Sequence, residues 1–90
     1  MGPKIQILVL QRGWVVVGEV HKEGADVVVS GASVIRRWGT TKGLGEIASG
    51  GPTGATCLDP AGTVRVHELA VVMAIDCDAE KWKGHVCSQQ

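Results

Sequence analysis

Apolar residues recur along this chain in short valine-rich runs separated by glycine and charged residues, with a spacing of two rather than of 3.6. The first run predicts a strand over residues 5–11. Ile5, Ile7 and Val9 fall on one of its faces and Leu8 and Leu10 on the other, so both faces are expected to be covered. Arg12-Gly13 is a turn signal, and a second strand is expected over residues 14–21, WVVVGEVH. Gly18 inside it predicts a bulge or a close backbone approach, a device that curls small sheets. A hairpin at Lys22, Glu23 and Gly24 leads to a third strand over residues 25–30, which Gly31 and Ala32 interrupt before residues 33–38 continue it. Valine-rich strands joined by tight turns make an antiparallel meander.

The spacing then changes. Leu44, Ile47 and Ala48 form an i, i+3, i+4 stripe about two helical turns long, with Thr40 or Thr41 as N-cap and Gly50-Gly51 as the stop. Gly43 and Gly45 each weaken such a helix by roughly 1 kcal/mol against Ala, so it must lie on the sheet. Residues 49–62, SGGPTGATCLDPAG, read as a long loop, either a lid over the preceding segment or a surface loop pinned by Leu58. Residues 63–67 alternate as a half-buried strand, and the apolar run 70–75 reads as a central strand. Asp76 or Asp78 then caps a brief helix over residues 79–83, anchored by Trp82, and residues 85–90 are expected to fray. The expected fold is one β-rich α+β domain: a small antiparallel sheet, open or barrel-like, with one short helix after the third strand and a short C-terminal helix.

Composition narrows the function classes. With 90 residues and no Phe or Tyr, the core is thin and aliphatic, and a homo-oligomer would add buried apolar surface. Nine basic residues balance nine acidic ones, so no global field draws in DNA, RNA or an acidic membrane. The start carries no signal-peptide pattern and no apolar run reaches the roughly 18 residues of a membrane span, so the chain is expected in the cytoplasm. Cys57, Cys77 and Cys87 lack metal-ligand spacing and are expected as reduced thiols, with no metal and no cofactor.

The densest chemistry lies in residues 33–48, SVIRRWGTTKGLGEIA. Arg36 and Arg37 supply guanidinium groups for phosphates, Trp38 an aromatic face for a base, and Thr40, Thr41 and Lys42 two hydroxyls and an ammonium at the predicted helix start. These six are the candidate ligand-binding residues. Neighbours on a strand point to opposite faces, so Arg36 and Arg37 serve one ligand only if the strand ends there or a second subunit meets it. The same residues also read as a solvated strand end with surface ion pairs, Trp38 covering the helix. GTTKG lacks the spacing of a phosphate loop, and Gly43-x-Gly45 lacks the flanking parallel unit of a dinucleotide fold. A catalytic reading would need Cys57 to meet His67, or His67 to act with Glu68, and no enzymatic activity is expected.

The hairpin Glu23-Gly24-Ala25-Asp26-Val27-Val28-Val29, the run Ile35-Arg36-Arg37-Trp38-Gly39 with Leu44, Ile47, Ala48 and Gly50, and the closing segment from Ala70 to Cys77 are together similar to motifs of a family of short, functionally uncharacterised proteins of tailed bacteriophages. Gly18 matches that family's glycine in the second strand, and its pair of aromatics after the arginines is here Trp38 alone. The resemblance implies a phage accessory protein acting in the host bacterial cytoplasm. Small phage proteins of this general kind include anti-defence sponges, which bind a cyclic oligonucleotide or cyclised ADP-ribose signal of CBASS or Thoeris immunity without cleaving it. Two expectations follow: an oligomeric sponge for a nucleotide-type ligand, or a structural or protein-binding module such as a minor virion component or an inhibitor of a host protein.

Overall fold

The computed structural model describes residues 4–40 and 43–85. Strands β1 (Lys4–Leu10), β2 (Val15–Glu23), β3 (Asp26–Arg37), β4 (Cys57–His67) and β5 (Val71–Asp76) form one antiparallel sheet in the order β4-β3-β2-β1-β5. Helix α1 (Leu44–Gly50) lies between β3 and β4, and α2 (Ala79–Trp82) follows β5. Short 3-10 turns at Gln11–Gly13 and Glu68–Ala70 join β1 to β2 and β4 to β5.

The alternation of the sequence sorts into two apolar clusters, one per face. Ile7, Val15, Val17 and Ile35 pack under Leu44, Ile47 and Ala48 of α1 and under Trp82. On the opposite face Leu8, Leu10, Val16, Val27, Val29 and Ala32 pack with Val64 and Val66 of β4 and Val71 of β5. No helix covers this second face among the described residues, so curvature of the sheet must close it. The β4–β5 connection shows that curvature: four Cα steps from His67 to Val71 reach at most about 14 Å, whereas the outer strands of a flat five-stranded sheet lie about 19 Å apart. The turn is tied down on the way, Glu68 N donating to Ala25 O at 2.8 Å and Gln11 Nε2 to Leu69 O at 3.5 Å. No ladder joins β4 to β5 among the described residues, and the sheet is open.

Gly18 makes the close approach its position predicts. A Cβ there would sit 2.6 Å from Val29 Cγ1 and 2.8 Å from Ser30 O, and the β2–β3 register shifts at this point. Gly31 and Ala32 do not interrupt β3; the strand carries its irregularity as register shifts against β4 and continues.

Three expectations are corrected. Residues 49–62 are not one loop: 49 and 50 close α1, and 57–62 are the first half of β4, paired from Arg37↔Cys57 to Ala32↔Gly62. Pro60 and Gly62 disguise this half of the strand, and both are tolerated because β4 is an edge. The apolar run 70–75 is not a central strand: β5, Val71–Asp76, is the opposite edge, with Val72, Met73 and Ala74 exposed. Thr40 is not the N-cap of α1; that position is Gly43, whose N–H donates to Thr40 Oγ1 at 3.0 Å, and the alternative, Thr41, lies outside the described residues. Asp78 caps α2, accepting from Glu80 N at 3.0 Å.

Candidate functional site

The candidate residues sit where β3 leaves the sheet. Ile35 is buried beneath α1, and Arg36, Arg37 and Trp38 beyond it are exposed. Because β3 stays extended through Arg37, the two arginines diverge, as strand geometry demands. Arg36 turns to β4: its Nε donates to Asp59 Oδ2 at 2.8 Å and its Nη2 to Asp59 Oδ1 at 3.4 Å. That carboxylate raises the Arg36 pKa above its ordinary value, first through the hydrogen bond and then through its charge. Arg37, paired with Cys57 across the ladder, has no ion-pair or hydrogen-bond partner for its side chain among the described residues. Trp38 is 42% exposed.

The backbone beyond is braced. Thr56 Oγ1 donates to Trp38 O at 2.6 Å and Thr53 Oγ1 to Gly39 O at 2.8 Å. Thr53 N donates back to Thr56 Oγ1 at 2.9 Å. Gly39, at φ 68°, lies so close to the segment that an added Cβ would fall 2.4 Å from Ala55 C. Residues 51–56, the remnant of the expected loop, are thus fastened to the base of Trp38. Thr40 is partly buried and accepts from Gly43 N. Thr41 and Lys42 lie outside the described residues.

The structure therefore brings Arg37, Trp38 and Thr40 to one end of the sheet and commits Arg36 to Asp59. Asp59 is the residue that sequence reasoning missed. Its signal was the carboxylate at 59 in what read as loop, and it becomes legible only once β4 begins at Cys57, which sets Asp59 opposite Val34, two residues from Arg36 on the same face. The catalytic constellations do not assemble. Cys57 and His67 mark opposite ends of β4, about 33 Å apart along an extended strand. His67 Nδ1 accepts from Leu69 N, and Glu68 pairs with Lys22. Among the described residues no group of side chains has metal-ligand clustering, and no pocket is present.

Comparison with family models and with curated proteins finds no match for this chain.

Proposed function

We propose that this chain is a non-catalytic binding protein whose recognition site is the Arg37–Trp38 end of β3, and whose ligand is a nucleotide-type molecule joining a phosphate to a planar ring. The observation that carries this reading is the pair itself: a guanidinium and an indole, adjacent and exposed, with no internal partner for the guanidinium among the described residues, on a backbone held by Thr53 and Thr56. Guanidinium donors suit phosphate oxygens, and an indole face stacks on a base. Arg36 enters this site only if the ligand displaces Asp59. With no pocket among the described residues, such a ligand would lie on the surface at the end of β3, and the curl of the strands supports a barrel-like reading with the site on its rim.

The resemblance to phage proteins supports extending the proposal to sequestration of a cyclic nucleotide or cyclic ADP-ribose-type immune signal in the host cytoplasm. The test is calorimetric titration of the protein with a panel of such ligands, repeated on Arg37→Ala. One ligand binding the native chain, and binding Arg37→Ala at least tenfold more weakly, supports the reading. Equal affinity for both proteins rejects the site. A second reading, a protein-binding module, is favoured by a separate feature, the apolar end of β5.

A further inference from the structure

The large apolar side chains left exposed are not scattered. Among the described residues, apart from Trp38 they are Trp14 (59%), Leu69 (77%), Val72 (61%) and Met73 (52%), and all four belong to one end of the β1–β5 pair. Trp14 O accepts from Leu10 N at 2.7 Å, Leu10 pairs with Val71, Val9 pairs with Met73, and Gln11 Nε2 reaches Leu69 O. The patch borders an edge strand whose outer backbone groups meet no other strand among the described residues.

The two edges of the sheet differ. β4 carries Pro60, Gly62 and Arg65 and repeatedly breaks register against β3, features that blunt an edge against foreign strands. β5 reads VVMAID, with no Pro, no Lys and one register shift at its start. An apolar, unblunted edge is a template for strand addition.

We infer that β5 is a self-association edge, on which a second copy of this chain adds its own β5, antiparallel, across a two-fold axis. Charge selects this occupant. Residues 69–75 carry no charge and the chain's formal net charge is +0, so two copies approach without repulsion. Arg12 lies at the Leu10–Val71 end of the strand, with no ion-pair partner among the described residues, and Asp76 lies at the other end, accepting from Gln6 Nε2 at 2.8 Å and standing 4.0 Å from Lys4 Nζ in an exposed ion pair. Antiparallel pairing lays Asp76 of each copy towards the Arg12 end of the other. Parallel addition would set like charges side by side and could not close as a two-fold dimer. The pairing continues the sheet and covers Val72 and Met73, which the single chain leaves in water.

Sedimentation equilibrium of the full chain from micromolar to millimolar concentration tests this. The expected result is a mass of twice the 9.4 kDa chain at the upper end, falling by half in Val72→Lys and in Met73→Lys with the circular dichroism spectrum unchanged. Both side chains are more than half exposed, so neither substitution removes core packing. Arg12→Asp, at a position whose φ of 67° Asp tolerates, weakens the dimer severalfold, and Ala61→Lys on the β4 edge leaves it intact. A native chain that stays monomeric at millimolar concentration overturns the inference. So does a dimer that survives Val72→Lys, or one that Ala61→Lys dissolves.

Discussion

Arg36 and Arg37 are chemically identical neighbours that the fold treats differently. One is spent on Asp59, and the other stands beside Trp38 with nothing to bind within the described chain. Sequence alone showed the pair and the strand geometry that separates them, but not which of the two would be occupied, because that depends on a carboxylate more than twenty positions later. In the proposed complex, replacing Arg37 would remove a charge-assisted contact worth roughly 1.5–3 kcal/mol, so Arg37→Ala should weaken ligand binding by about 10- to 150-fold. Arg36→Ala should leave affinity close to native, since it removes an exposed ion pair; titration calorimetry on the two variants separates these outcomes. Gly39 has its own requirement, a positive φ pressed against Ala55. Gly39→Ala should displace residues 51–56, and loss of the Thr53 and Thr56 amide signals' native shifts in a nitrogen-proton NMR spectrum would show it.

At the scale of elements, the strands were readable where alternation was clean and lost where it was not. β1, β2 and most of β3 follow from valine spacing, and Gly18 from its place within a strand. The first half of β4 was hidden because Pro60 and Gly62 are strand breakers everywhere except at an edge, and edge status is a property of the assembled sheet. The short helix was legible from Leu44, Ile47 and Ala48, but not what holds it. Its seven residues are fixed by Trp82, fully buried, whose Nε1 donates to Ile47 O at 2.9 Å. Trp82→Ala should cost about 3–5 kcal/mol, a large part of the stability of a domain this small, and leave much of the protein unfolded at room temperature. Trp82→Phe loses mainly the hydrogen bond and part of the volume; because Ile47 O still accepts from Gly51 N at 2.8 Å, it should retain a cooperative but earlier thermal transition. Equal melting of native and Trp82→Ala proteins would contradict this role.

For the whole molecule, the curl of the sheet does what composition said a thin core could not do alone. It lets β3, β4 and β5 enclose an aliphatic face that no helix covers among the described residues. Charged groups sit at the rim of this structure and set its response to pH. Glu23 is held below its ordinary 4.5 by the hydrogen bond with His21 and then by Arg65, and Glu68 likewise by Lys22. Their contribution is present above 4.5 and is lost as pH falls through their lowered values. Cys77 behaves oppositely: burial pushes its thiol from 9.0 up to about 11. The unfolded chain therefore releases that proton first, and stability present below pH 9.0 declines as pH rises towards about 11. Thermal melts across pH should show both limbs, and Cys77→Ala should flatten the alkaline one.

The role proposed for the exposed guanidinium and indole at the end of β3 is to hold a nucleotide-type ligand without altering it. The most direct measurement mixes the purified protein with cyclic di- and trinucleotides and cyclic ADP-ribose isomers, removes free ligand, denatures the protein by heat and identifies what is released. One intact ligand recovered at a fixed ratio to protein, and lost with Arg37→Ala or Trp38→Ala, is the predicted result. Release of a cleaved product, or of nothing from any member of the panel, contradicts it.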